Sequence, residues 1–212
     1  MTSMNVQSYP RMINTGIVIL AAGGSTRFGE IKQLLHVNGK TLLQHAIDEA
    51  AASGPAAVVV VTGADAEKIS KAVNKEIVTI AYNEQWQTGM ASGIVAGLKK
   101  LFAVNQDVDK IIIAVCDQPF VTSSLFTQLY QTQNETHHHI VASAYADTIG
   151  TPVLFTQKYF DALLSVTGDE GAKKILKSNP EDVARVDFPQ GAIDIDTQKD
   201  YEDLVDRQRH VF

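Results

Sequence analysis

Apolar residues fall in short unbroken blocks along this chain, and polar stretches with helical periodicity separate them. Ile17-Val18-Ile19-Leu20, Ala57-Val58-Val59-Val60-Val61, Ile77-Val78-Thr79-Ile80 and Ile111-Ile112-Ile113-Ala114-Val115 are rich in β-branched residues and too short for membrane spans or typical helices. Continuity rather than alternation predicts strands covered on both faces, as in a parallel sheet. Residues 41–52 repeat apolar positions at helical spacing and stop at Ser53-Gly54-Pro55; residues 65–74, 94–102 and 123–131 read as further helices. Ile140-Val141-Ala142-Ser143-Ala144, residues 183–187 and a terminal helix complete the series. This order predicts an α/β fold with a doubly wound, mostly parallel sheet and helices on both faces. The block at 111–115 is the most apolar and belongs at the sheet's centre. Ligands of such a sheet sit at the C-terminal ends of its strands.

The chemistry gathers at those ends. After Leu20 come Ala21-Ala22-Gly23-Gly24, a stretch without bulk where backbone N–H groups can approach an anion closely. Arg27 and Lys32 add two cations, one a rigid fork and the other a mobile point charge. Together they suit a triphosphate; the plainer alternative is a strand-to-helix turn with surface charges. The loop is not a P-loop: Gly24 and Gly29 have the first spacing but Glu30-Ile31 follows, and Gly39-Lys40-Thr41 has Leu34 where the first glycine belongs. The dinucleotide fingerprint G-x-G-x-x-G is absent as well. Asp117 follows the strand at 111–115, where a carboxylate is costly to desolvate unless it is paired or binds a metal such as Mg²⁺. Asp194 and Asp196 flank Ile195 in a strand-like alternation, so both can face one side and either can meet Asp117 across a cleft. Capping of the next turn is the alternative role for Asp117. Cys116 reads as a buried filler, since no His-Asn partner motif is visible. His137-His138-His139 reads as a loop before a strand, because no further ligands complete a tetrahedral site.

The run L-A-A-G-x-S-x-R-F-G-x-x-K, residues 20–32, resembles the signature loop of nucleotidyltransferases related to molybdenum cofactor cytidylyltransferase and guanylyltransferase, the MocA-like and MobA-like enzymes. The resemblance spans about residues 15–205 and implies a Rossmann-like nucleotidyltransferase fold. It implies that Leu20, Ala21, Ala22, Gly23, Gly24, Ser25 and Arg27 hold the nucleotide, with Arg27 at the β- and γ-phosphates and Lys32 near the α-phosphate. Asn83 to Gly93 is similar to the family's N-x-x-W-x-x-G-M-x-S-S-L segment near the nucleoside, which brings in Asn83, Gly89 and Ser92. Gly93 and Ile94 depart from it by replacing a serine and a leucine. Ser92 and Trp86 suit helix capping and loop packing equally well. Cys116-Asp117-Gln118-Pro119 resembles the aspartate motif of the cytidylyl relatives, and Asp194 and Asp196 stand where guanylyl relatives carry an asparagine pair. Segments 150–155 and 168–174, with Lys173 and Lys174, resemble the acceptor side, although a surface helix start explains 168–174 as well.

The implied activity is Mg²⁺-dependent transfer of CMP from CTP, or of another nucleotide from its NTP, to a molybdopterin-type phosphate acceptor. Arg27, Lys32 and Asp117 would be catalytic, Asp117, Asp194 and Asp196 would bind metal, and a client molybdoenzyme is a possible recipient of the product. Alternatives are a sugar- or polyol-phosphate acceptor, a non-catalytic cofactor carrier, or a nicotinamide-dependent oxidoreductase of the same fold class. The formal net charge of −6 over 212 residues disfavours nucleic acid and anionic membranes as partners. The single cysteine fits a reducing compartment, and with no apolar leader in the first residues a cytoplasmic location is expected. Residues 1–14 read as a tail and 15–212 as one domain, with a nucleotide half at about 15–120 and an acceptor half at about 121–212.

Overall fold

The apolar block at 17–20 is the end of a longer strand, β1 (Met12–Leu20). In the computed structural model, which describes residues 12–24 and 30–209, this strand starts inside the stretch expected to be tail. Met12 is fully buried and pairs with Pro55; a register shift then follows, with Asn14 in the left-handed region at φ 62°. The Met12 amide donates to Gly54 O (3.1 Å), a partner across the sheet that the neighbouring sequence does not report.

The chain continues through a hairpin of β2 (His36–Val37) and β3 (Lys40–Thr41), then α1 (Leu42–Ala52), β4 (Pro55–Thr62), α2 (Ala66–Ala72) and β5 (Thr79–Tyr82). Next come α3 (Met90–Val104), β6 (Lys110–Val115), α4 (Ser123–Thr136), β7 (Ile140–Tyr145) and β8 (Thr148–Thr156). Two short helices, α5 (Phe160–Leu164) and α6 (Lys173–Ser178), lead to β9 (Val183–Asp187) and α7 (Gln198–Arg209). The hairpin turns at Asn38-Gly39, both at positive φ, a pair that suits a two-residue connection.

Seven strands form one sheet in the order β5-β4-β1-β6-β8-β7-β9. β8 runs antiparallel to both its neighbours and every other pairing is parallel, so the sheet is mostly parallel as expected. β6 is its central strand. Adjacent residues of the strands point to opposite faces, and two cores result. Ile17, Ile19, Val58 and Val60 pack with Leu43 and Ile47 of α1 and Phe126 and Leu129 of α4. Val18, Val59 and Val61 pack with Ile94, Leu98 and Leu101 of α3 on the other side. Each such side chain contributes about 1.5–3 kcal/mol on burial, which is why continuous apolar strands select a sheet layered by helices on both faces. Gly97 lets α3 settle onto β1: a Cβ there would sit 2.4 Å from a Val18 methyl carbon. Among the described residues no helix is long and apolar enough to cross a membrane.

The topology reverses between β1 and β6. From β1 the chain steps outward to β4 and β5, then returns to β6 on the other side of β1. Leu20 and Val115 are register partners, so the residues that follow each open beside one another at the switch point.

Candidate active site

A cleft of about 510 Å³ lies at that switch point. Residues 20–24, Val115 to Asp117, Asn83, Trp86 and Gly89 line it. Ser25 and Arg27, both expected at the phosphates, lie outside the described residues.

The glycine loop is held by its carbonyls. The Gln33 side chain donates from Nε2 to Ala21 O (3.1 Å) and Gly23 O (2.8 Å), and the Ala64 amide donates to Ala22 O (3.3 Å). The Ala21 amide is bound to Val61 O at 2.9 Å, whereas those of Ala22, Gly23 and Gly24 meet no acceptor among the described residues. Such a row of open N–H groups is a cradle for an anion. Gln33 is only 3% exposed and was not singled out by sequence, where a polar residue after Lys32 looks like surface.

Lys32 lines the same cleft. Its Nζ donates to Asp117 Oδ2 and Asp196 Oδ1, both at 2.8 Å. Burial alone would lower the ammonium's pKa, but Asp117, and after it Asp196, outweigh that and hold it well above the usual lysine value. Two contacts of 2.8 Å to one nitrogen bring the carboxylate oxygens within at most about 5.6 Å (2.8 + 2.8) of each other. Asp196 reaches this place from far along the chain because the Ile195 amide donates to Asp117 O (3.0 Å) and the Ile195 side chain is fully buried. Ile195 packs with Leu35, Val37, Leu42 and Leu204, and Tyr201 Oη donates to His36 O (2.8 Å), so α7 and the hairpin clamp the segment. Residues 193–196 form no strand, contrary to the expected alternation. The alternation instead buries Ile195 alone and sends the two aspartates to different hollows. Asp196 lines the cleft, while Asp194 opens beside Asp200 and Asp203. Partial desolvation, then the like charges of Asp196 and Asp117, raise the Asp194 pKa.

The third strand leads into a further part of the cleft lining. Asn83 is buried; its Nδ2 donates to Ser92 Oγ (2.8 Å) and its Oδ1 accepts the Gln85 amide (3.0 Å). Ser92 Oγ in turn reaches Gln85 O (2.9 Å) and Gly89 O (2.8 Å). Ser92 thus ties the turn that starts α3 and lines a hollow beside the cleft, whereas Asn83 and Gly93 line the cleft itself. Gly89, the residue before α3, has φ 106° and ψ 177°, a region essentially reserved for glycine. A Cβ there would also strike Asp169, which lines the cleft, and Gly168, whose carbonyl accepts the Ala91 amide (3.1 Å). The loop before α6 therefore closes the N-terminus of α3, a contact between distant segments that sequence could not report. Trp86 packs over Gly24 and Gly63 while lining the cleft. Lys173 and Lys174 are exposed and are not part of the cleft wall.

Cys116 is buried, and burial followed by the charge of Asp117 pushes its thiol up to about 12, which makes it unsuited to nucleophilic work. The three histidines diverge. His137 ends α4 at φ 58°, His138 has a buried Nδ1 with no partner among the described residues, and His139 Nδ1 meets Thr156 Oγ1 at 2.9 Å.

A mostly parallel α/β sheet with a glycine loop and paired carboxylates at its switch point is an arrangement that suits a bound nucleotide. The MobA-like NTP transferase domain matches residues 17–183, and the chain is a member of that family. It is 30% identical over 189 residues to nicotine blue oxidoreductase of Paenarthrobacter nicotinovorans, covering 85% of this chain and 91% of that protein. It is 31% identical over 136 residues to the bifunctional protein GlmU of Cupriavidus pinatubonensis, covering 63% of this chain and 29% of that one, so it spans under a third of GlmU. The crystal structure of Rv0371c from Mycobacterium tuberculosis H37Rv superposes with a TM-score of 0.78 at 28% identity, covering 92% of this chain and 98% of that one. The same protein in complex with manganese gives 0.74 at 25% identity, with the same coverage.

Proposed function

We propose that this nucleotidyltransferase moves CMP from CTP to the phosphate of a molybdopterin-type acceptor with the help of Mg²⁺. An acceptor phosphate oxygen attacks the α-phosphorus, the bond to the bridging oxygen breaks, and pyrophosphate leaves. The observation that carries this reading is the Lys32 ammonium shared by Asp117 and Asp196 beside the amides of residues 22–24, which meet no acceptor among the described residues. Two facing carboxylates beside a phosphate cradle suit Mg²⁺, which is commonly bound by one or two carboxylates together with substrate phosphates. Asp117 and Asp196 would hold the ion, Asp194 standing behind them, and the ion would supply charge neutralisation at the phosphates. The manganese complex of Rv0371c supports a divalent ion in this fold.

The protein's own residues do the rest. The amides of residues 22–24 receive phosphate oxygens, and Lys32 carries its charge from the carboxylates to the α-phosphate as the substrate arrives. Arg27 adds the second cation on the same loop. Charges placed where negative charge develops need no protein nucleophile. The Ala22 methyl narrows the cleft beside the base and favours a one-ring pyrimidine.

One observation favours a second reading. The relative from Paenarthrobacter is named an oxidoreductase and matches most of the chain. A nicotinamide cofactor would offer its own pyrophosphate to the same loop, although the dinucleotide fingerprint is missing. The experiment is pyrophosphate release with CTP, GTP, UTP and ATP against molybdopterin, sugar-phosphate and polyol-phosphate acceptors, run beside NADPH binding. Release that is fastest with CTP and molybdopterin is the expected result. Tight NADPH binding without release from any triphosphate would replace it by the second reading, and CTP binding without release would indicate a carrier.

A further inference from the structure

We propose that Gln33 is the positioning residue that sets the glycine loop in its anion-binding form, a role that rests on the triphosphate reading above. Glycine peptides turn over easily because no Cβ opposes the rotation, so Gly23-Gly24 alone cannot hold one face toward a ligand. A rotated peptide would present a carbonyl oxygen to the phosphates where an N–H is needed. Three consecutive carbonyls are instead drawn into the protein, and the Gln33 amide holds two of them, Ala21 O at 3.1 Å and Gly23 O at 2.8 Å. The third, Ala22 O, is held by the Ala64 amide at 3.3 Å.

The chemistry of position 33 is narrow. A neutral NH₂ group supplies two donors to two carbonyls at no charge cost, while an ionised glutamate is an acceptor only and would repel both. At 3% exposure the side chain has little water around it, so a lost donor leaves the buried Ala21 carbonyl unpaired and frees the Gly23 carbonyl to turn. Gln33 also sits in the same 3₁₀ turn (Lys32–Leu34) as Lys32, which couples the loop's conformation to the place of that cation. The turn therefore carries both the clamp and the charge.

The test uses Trp86, the chain's single tryptophan, which lines the cleft against Gly24 and so reports binding through its fluorescence. CTP and CMP are titrated with Mg²⁺ into the full chain, its Gln33→Met variant, which keeps the shape without donors, and its Gln33→Glu variant. Gln33→Met is expected to weaken CTP about tenfold and CMP no more than about twofold, because CMP lacks the outer phosphates. Gln33→Glu is expected to regain CTP affinity as pH falls from 8 toward 5.5, since a protonated carboxyl restores one donor; the parent protein should show no comparable gain. Equal losses for CTP and CMP in Gln33→Met, or CTP affinity unchanged within twofold, would overturn the assignment while leaving the triphosphate reading intact. Should Gln33→Met fail to fold, a Gln33→Glu affinity that does not rise on acidification overturns it by itself. A parent protein that binds none of CTP, GTP, UTP and ATP would overturn both this role and the reading beneath it.

Discussion

Two carboxylate centres of this molecule use opposite arithmetic. Among the described residues, one cation of the cleft serves two carboxylates, with Lys32 Nζ 2.8 Å from Asp117 and from Asp196. At the far edge of the sheet, before β9, one carboxylate serves several donors: Asp182 accepts Lys158 Nζ (2.6 Å), Tyr159 Oη (2.9 Å) and the His139 amide (3.0 Å). Burial works against the Asp182 charge, yet these donors pull its pKa down to about 2. The centre at Asp182 is well supplied with donors, and it fastens the turn before α5 and the start of β9 to the start of β7. Among the described residues, the centre at Lys32 sets two carboxylates against one ammonium beside amides that meet no acceptor there. The arrangement at Asp182 is what a structural tie needs, and the one at Lys32 is what the proposed metal site would use.

The sharpest way to break the contrast is Lys32→Met. We expect turnover to fall about a hundredfold, since a charge that acts mainly in the transition state is worth on the order of 3 kcal/mol. In the nucleotide-free protein the same change should tighten Mn²⁺ binding, read by the spin resonance of free Mn²⁺, because a competing cation has left the carboxylates. Near-normal kcat at saturating CTP would falsify the catalytic role.

Next in size is the difference between the two aspartates that share Ile195. Asp196→Asn should weaken Mn²⁺ binding about ten- to a hundredfold, the range seen when a metal site loses support, and Asp194→Asn only a few-fold. The reverse order in a calorimetric titration would move the site toward the neighbouring hollow.

Asp182→Asn should cost stability and leave activity at room temperature unchanged. A carboxyl lowered from 3.8 to about 2 contributes roughly 2 kcal/mol, and its side chain is only 14% exposed. The sign follows from the depressed folded value: the contribution is complete above the unfolded pKa near 4 and fades as pH falls toward 2. Denaturant midpoints of parent and variant should therefore differ from pH 5 to 8 and converge between pH 4 and 2. A gap that persists at pH 2 would show that the variant acts by packing and not by charge.

The smallest effect concerns the base. Ala22→Gly should raise kcat/KM for GTP relative to CTP by about tenfold with CTP still the better substrate, as one methyl group changes binding by about 1–3 kcal/mol. A GTP/CTP ratio that does not move means the residue does not read the base.

Much of this was legible along the chain, and the parts that were share one property. The unbroken β-branched blocks report two-sided burial locally, so the parallel strands and the central place of Ile111 to Val115 followed from composition and order. Ala21 to Gly24, Lys32 and Asp117 could be picked out because strand ends are local features. β8 was not legible as a strand, since Gly150 and Pro152 interrupt its apolar run, and only its pairing with β6 and β7 shows both the strand and its antiparallel direction. The start of β1 at Met12 depended on Pro55 across the sheet. Ser92 shows the limit from the other side: its spacing suited a nucleoside contact or a cap, and only the bonds to Asn83, Gln85 and Gly89 show how its hydroxyl is used.

The sequence by itself determined the layered sheet, the glycine loop and which carboxylate ends the central strand, because periodicity, β-branching and small residues act over a few neighbours. Tertiary structure alone decided that Asp196, and not Asp194, meets Asp117 at Lys32, and that Gln33 turns inward to hold the loop. Both depend on contacts between segments that only the closed core brings together. Ile195 is buried against the hairpin, its amide bonds to Asp117 O, and the side chain on either side of a buried residue goes where that packing sends it.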